Sequence, residues 1–424
     1  MTDRTQSPAV KRFERICLPE AERLELANGG ELTVVSMGSL PMSRLSVMWD
    51  GGIADYACGR QAAATLMAVT LPEGTRTMNA ERTADLIDFC GARVGGDISA
   101  HHTSVETITI NSRRGEIFPV IRGIAEEALF DEAAVKAAAG RLASNVAQQQ
   151  KRVGYAAGKR LQHLLQGLSH PLSVEVSPEE FLAVNRDEII GVYEEMTRGV
   201  PTVFAGGCID RAMRAEIEQW FGRLKGQPGK AMKVEPFRPE SPRREHIAME
   251  ESRQSAVAIG MPSISRDHPD YVALRMAVVA LGGYFGSRLM KNIREEKGLT
   301  YGIRASLCGM HEGAYMEITA QCDALYADRV IEETIKEIER LAVDPPRGEE
   351  LGRLQLHEWN QLAATTDSAF GVIGYYLTEK KVGMPKDYFS RQIDALSTLK
   401  TDDIARVAAE YLRPELLTVI TAGQ

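Results

Sequence analysis

Arg294 and Tyr301 stand seven residues apart in the run Ile293-Arg294-Glu295-Glu296-Lys297-Gly298-Leu299-Thr300-Tyr301-Gly302. A guanidinium fork and a phenol hydroxyl both donate hydrogen bonds. Converged on one point, they suit a carbonyl or carboxylate oxygen, and they would stabilise an oxyanion if a scissile carbonyl lay there. Local signals supply a geometry for that convergence. Ser287 to Lys297 reads as a polar helical run, Gly298 as the left-handed residue just past a helix C-terminus, and Leu299 onward as strand. A helix end and a strand start can aim both side chains at one place. A second reading is open at this level: Arg294 as a solvated helix residue pairing with Glu295 or Glu296, and Tyr301 as a half-buried strand aromatic.

The elements that position this pair recur in the chain. At an offset of about 210 residues the pattern matches itself. The strand-like Leu45 to Gly52 answers to Ala256 to Pro262, the apolar helix Ala62 to Thr70 to Tyr271 to Leu281, and the alternating strand Thr103 to Ile110 to Gly313 to Ala320. Long amphipathic helices start near Ile117 and Ala327, and strands running into glycine close each half at Thr202 to Gly206 and Thr418 to Gly423. Lys225 to Glu245, with Pro228, Pro236, Pro239 and Pro242 among charges, has the composition of an exposed, semi-rigid linker. The expectation is an α+β fold of two tandem homologous domains, 1–224 and 247–424, joined by 225–246. Each is a mainly antiparallel sheet covered by helices on one face.

Composition excludes several classes. A chain of 424 residues with 44% apolar content can build full cores. Fifty bases against 58 acids give a formal charge of -8, with no basic stripe carrying interleaved aromatics, so nucleic acid is not expected as a partner. Met1 to Pro8 lacks an apolar signal core and no run would span a bilayer, so a cytoplasmic chain without membrane contact is expected. Cys17, Cys58, Cys90, Cys208, Cys308 and Cys322 are scattered and form no C-x-x-C pair, which predicts buried reduced thiols. There is no G-x-x-x-x-G-K-[ST] loop and no G-x-S-x-G elbow, and Gly282-Gly283-Tyr284-Phe285-Gly286 lacks the G-x-G-x-x-G pattern.

Gly283 to Gly302 resembles the zinc peptidases of the family of pitrilysin, insulin-degrading enzyme and the mitochondrial processing peptidase. The family's small-residue turn, Ser-Arg-Leu and Arg-Glu-Glu-Lys-Gly-Leu-x-Tyr are present as Ser287-Arg288-Leu289 and Arg294 through Tyr301. The resemblance covers nearly the whole chain and implies tandem α+β domains. It also implies that Arg294 and Tyr301 sit on the second domain of a pair and reach substrate near a zinc site. A third implication is a peptide taken up as an added strand on a sheet edge, which falls at Gly96 to Thr103.

The family's H-x-x-E-H helix, by contrast, is empty. Gly74-Thr75 sets the register, which puts Thr65, Ala68 and Val69 where His, Glu and His would stand. Two histidines four apart share a helix face and hold zinc while the glutamate acts on a bound water. None of the three residues here can do either. The third ligand falls near Gly140 to Val146, and no Asp or Glu occurs between Glu132 and Glu175.

The eight histidines do not replace the site. His357-Glu358-Trp359-Asn360-Gln361 ends in Gln, and His101 and His102 are adjacent in a strand and face opposite sides. His163 and His170 read as helix-surface or loop residues. The resemblance therefore implies a chain that binds no metal and is inactive on its own. It would be a non-catalytic subunit supplying Arg294 and Tyr301 to an unfolded peptide, while a homologous H-x-x-E-H-bearing subunit holds the zinc. The alternative is a catalytically inactive peptide-binding or assembly protein of the same fold, possibly homodimeric.

Overall fold

The computed structural model describes residues 16–56, 59–227 and 233–424. Cys58, Pro228 and the N-terminal Met1 to Pro8 lie outside those residues. Eleven strands form two sheets. The first contains β1 (Glu22–Glu25), β2 (Glu31–Ser36), β3 (Met42–Asp50), β4 (Arg93–Ile98), β5 (His102–Ile110) and β6 (Thr202–Gly207) in the order β1-β2-β6-β3-β5-β4. The second contains β7 (Arg244–Ala248), β8 (Gln254–Ser263), β9 (Thr300–Met310), β10 (Gly313–Asp323) and β11 (Thr418–Gly423) in the order β7-β11-β8-β10-β9. In each sheet one pair is parallel, β2 with β6 and β7 with β11, and all others are antiparallel. Five strands of the first sheet thus match the five of the second in order and direction.

Each sheet packs its own helices on one face, as the amphipathic patterns require. Helix Ala327–Val343 buries Val330, Thr334, Ile338 and Leu341, one stripe at helical spacing, against the second sheet's core. The opposite face of each sheet is covered too, by a helix from the other half. Val153–Gln166 lays Val153, Ala157, Leu161 and Leu165 on Ala256, Ala258, Ile420 and Ala422 of β8 and β11. Reciprocally, Ala369–Val382 lays Ala369, Val372, Ile373 and Leu377 on Val35, Met48 and Phe204 of β2, β3 and β6. Glycines permit both approaches: a Cβ on Gly206 would meet Ile373 Cγ2 at 2.5 Å, and one on Gly260 would meet Leu165 Cδ1 at 2.7 Å. At about 1.5–3 kcal/mol per fully buried Val, Leu or Ile, this exchange of helices makes the two halves mutually dependent.

The proline-rich connection is mostly exposed but tethered. Phe237 donates to the Glu312 carbonyl, and Arg238 and Glu240 to the carbonyls of Gln166 and Leu164. It ends in β7, which begins at Arg244, within the segment expected to be linker. The cysteine reading needs correction at Cys17, which is exposed; Cys90 and Cys322 are buried, and the described cysteines are all free thiols. Among the described residues no helix is long and apolar enough to cross a membrane.

Candidate functional site

Two departures from regular backbone set up the Arg294 to Tyr301 segment. Met290–Glu296 is π-helical, as is Val279–Gly283 before it, and the wider turn redirects side chains relative to an α-helix. Gly298 then turns the chain with φ +62°, where the expected left-handed residue stands. Tyr301 and Gly302 together oppose the single residue Gln321, because Ile303 pairs with Ala320 and Thr300 with Cys322. That is a β-bulge, a device that re-aims a side chain at a sheet rim. Thr300 pins it: its hydroxyl accepts from Gly302 N at 3.1 Å and donates to Gln321 O at 2.6 Å.

The scaffold around the pair is locked while the pair itself is loose. Arg288, buried, forks onto Glu350 with bonds of 2.8 and 3.0 Å, and Leu289 is core. Lys297 bonds Glu333, and Asn292 donates to Glu337 at 2.7 Å. Hydrogen bonds from Lys297 and Lys336 hold the Glu333 carboxyl down at about 2. Arg294 has no acidic partner among the described residues, Glu295 and Glu296 included. Its guanidinium instead lies over Phe285, 4.9 Å from the ring centroid, a contact of about 0.5–1 kcal/mol at an exposed site. Tyr301 is 89% exposed rather than half-buried, and Phe285 is 65% exposed. Arg294 and Tyr301 do not bond to one another. Both donors are available to a ligand.

The helix Gln61–Thr70 is the opposite case. Thr65 spends its hydroxyl on the Gln61 carbonyl at 2.8 Å, Ala68 is fully buried, and Val69 packs at the edge of the core. A Cβ on Gly96 of β4 would sit 1.8 Å from the Ala68 carbonyl oxygen, so strand and helix backbones touch where a metal would need space. These residues do not fit zinc: they offer no ligand atom and no cavity. Near the third ligand's expected place, Ala143 is buried in the same core. Among the described residues no group of three His, Cys, Asp or Glu is arranged to hold a metal ion.

The expected peptide edge is only partly an edge. Gly96 to Ile98 lie on the outer strand β4, but Ser99, Ala100 and His101 turn inward and bond Gly51, Ile53 and Ala54. His101 lies in this bend, not in β5 with His102. It is 2% exposed and joins the halves by bonding Glu312 at the tip of the β9–β10 hairpin, itself 5% exposed. Its Nδ1 faces Asp55 at 3.6 Å. Burial alone would lower its pKa, but the hydrogen bonds and charges of Asp55 and Glu312 override that and push it up to about 9. Glu312, despite burial, is held below the usual carboxylate range by His101. Burial, Lys380 and the charge on His101 push His102 down to about 4, and burial with His101 lowers His311. His170 lies in a loop, as expected, but is buried there and bonded to the Glu235 carbonyl at 2.9 Å. Sequence reasoning missed this seam because its partners lie far apart in the chain; the His311-Glu312 pair at a hairpin tip was the one visible signal.

The chain matches the family model described as Peptidase M16 inactive domain over residues 183–356. The uncharacterized zinc protease SCO5738 of Streptomyces coelicolor is 22% identical, across 99% of this chain and 95% of that protein. The uncharacterized zinc protease YmxG of Bacillus subtilis is 24% identical over 54% of this chain, a match that spans about half (56%) of that protein. The non-peptidase homolog YmxG of Helicobacter pylori is 22% identical over 62% of each chain. Among solved structures, a peptidase M16 inactive domain from Pseudomonas fluorescens superposes with TM-score 0.84, 18% identical, over 95% of this chain and 98% of that one. The periplasmic protease PqqL of Escherichia coli superposes with TM-score 0.79, 12% identical, over 99% of this chain but 48% of its own length. Residues 183–356 thus resemble a peptidase M16 inactive domain, and the two-sheet fold of the whole chain is that of the solved peptidase M16 inactive domain.

Proposed function

We propose that this chain is a non-catalytic subunit of a heteromeric zinc metallopeptidase, in which a homologous subunit carries H-x-x-E-H and the zinc. Arg294 and Tyr301 bind an unfolded peptide near its scissile bond, donating hydrogen bonds to a carbonyl oxygen as charge develops on it. The observation that carries the reading is the treatment of these two side chains. Arg294 sits on a π-helical turn and Tyr301 on a β-bulge that leaves it in solvent, a locked frame holds their backbone, and neither has a hydrogen-bond or ion-pair partner among the described residues. The closed helix at Thr65, Ala68 and Val69 supports the other half of the reading, since among the described residues no group of three His, Cys, Asp or Glu is arranged to hold a metal ion. The two homologous domains, 1–224 and 247–424, are on this reading the product of an internal duplication.

A second reading has support of its own in the Helicobacter pylori relative named a non-peptidase homolog: a peptide-binding or assembly protein, possibly homodimeric, that cuts nothing. Purifying the chain with and without an H-x-x-E-H-bearing homologue from the same source separates the two. Hydrolysis of an unfolded peptide by the pair, exceeding that of either chain alone, is the expected result. A pair that never forms, or a partner equally active without this chain, would exclude the subunit role.

A further inference from the structure

The hairpin joining β9 to β10 ends at His311-Glu312, and that tip is wedged between pieces of both halves. Glu312 bonds His101 of the first half, the His311 ring stands edge-on to the His101 ring with centroids 5.6 Å apart, and Phe237 N donates to the Glu312 carbonyl at 3.0 Å. Gly383, the left-handed residue that ends helix Ala369–Val382, closes another side: a Cβ there would strike the His311 ring. The tip is also part of a cavity wall. His101, His102, His311 and Glu312 all line a space of about 1690 Å³ between the halves, so releasing the tip would open it.

What holds the tip depends on protons. His101 has a carboxylate against each ring nitrogen, Glu312 at Nε2 and Asp55 at Nδ1, the latter 3.6 Å away. An imidazolium donates from both nitrogens, whereas a neutral ring has one N–H and must turn a lone pair toward the other carboxylate. Glu312 has no substitute donor: it is 5% exposed, and its Oε2 is buried without a hydrogen-bond partner. The other groups around the tip do not compensate. His102 of β5, with Asp50 of β3 3.7 Å from its Nε2, is held neutral by burial and Lys380, and His311 by burial and His101. Lys380 and Lys381 reach this corner from helix Ala369–Val382, where Lys381 is tied to Asp97 at 2.8 Å, and Arg266 adds a positive charge near His311 from the loop after β8. None of these three cations pairs with Glu312 or Asp55 among the described residues. A buried carboxylate beside a neutral ring is costly, and moving it into water relieves that cost.

We propose that the His311-Glu312 tip is a proton-dependent latch, seated against His101 while that ring carries two protons and released into solvent, opening the cavity, once it carries one. Neither Arg294 nor Tyr301 lines the cavity, so the latch goes beyond the subunit role and does not depend on it. Hydrogen–deuterium exchange of the whole chain tests it, read at about pH 7 and about pH 10, on either side of the His101 transition at about 9, and corrected for intrinsic exchange rates. Amides 310–313 should exchange faster at the higher pH by about 10-fold or more, while those of Val330 to Leu341 in the core helix keep their protection. His101→Gln, which offers one donor group at any pH, should show the fast tip at the lower pH already. Glu312→Gln should stay shut at both, because a neutral His101 can then donate to Asp55 and accept from the Gln amide. A tip equally protected at both pH values in the parent, an equal loss of protection in the core helix, a slow tip in His101→Gln, or a pH-dependent tip that persists in Glu312→Gln would each overturn the assignment.

Discussion

The helix Gln61–Thr70 and the segment Tyr284 to Gly302 belong to the two halves of one chain and have opposite fates. The first is sealed: Ala68 is fully buried and its carbonyl abuts Gly96 closely enough to exclude even a methyl group. The second is open, with Tyr301 and Phe285 in solvent and Arg294 unpaired over an aromatic face. A helix whose residues carry no metal-ligating side chain is free to close into ordinary core, where burial stabilises it. An exposed phenol and a guanidinium held only over an aromatic ring gain little from folding, so their presence on an irregular but braced backbone points to a role outside the fold. The sealed side is also fastened across the molecule, since β4 runs on into the bend that places His101 against Glu312.

Variants that try to reopen the sealed side should be the most damaging. Ala68→Glu places a carboxylate in the core without a partner, at a cost of about 3–5 kcal/mol. Loss of the cooperative melt or a strongly lowered urea midpoint is the expected readout, and a native-like midpoint would show that the helix has room after all. Gly96→Ala forces β4 from the helix and should cost about 1–3 kcal/mol, measurable in the same titration. Arg288→Ala breaks a bidentate pair in the frame of the open side and should cost about 1.5–3 kcal/mol. Arg294→Ala and Tyr301→Phe should both stay within about 0.5 kcal/mol of the parent. A large loss at either would mean that the open side is structural.

The seam adds a pH signature. His101 has a folded pKa raised above its unfolded value, so its contribution is complete below about 6.5 and is lost as pH rises through about 9. His102 is buried neutral with its pKa lowered to about 4, so its site favours folding above about 6.5 and loses that as pH falls. Thermal stability should therefore peak near about pH 6.5, falling toward about pH 9 through His101 and toward about pH 4 through His102. His101→Gln should remove the alkaline loss; an alkaline limb that persists in that variant would assign it elsewhere.

Much of the fold was legible in the sequence. Val330, Thr334, Ile338 and Leu341 announce a helix by their spacing, and Gly298 announces its turn. The reciprocal helices were not legible in that sense: Val153, Ala157, Leu161 and Leu165 form a stripe, but a stripe does not say which sheet it covers. The π-helical turn at Met290–Glu296 and the bulge at Tyr301 were hidden for a different reason. They depend on register against Gln321, a tertiary property that local propensity does not encode. The missing zinc ligands were readable from identity alone, whereas the closure of Ala68 onto Gly96 required the packing of two elements.

The measurement that bears most directly on the division of labour is turnover by the reconstituted pair. This chain carrying Arg294→Ala or Tyr301→Phe should still fold and still pair, and the complex should hydrolyse unfolded peptide more slowly by on the order of 100-fold, the loss expected for one oxyanion donor. Turnover equal to that of the unmodified pair would contradict the account, because the open side would then contribute nothing to the chemistry it faces.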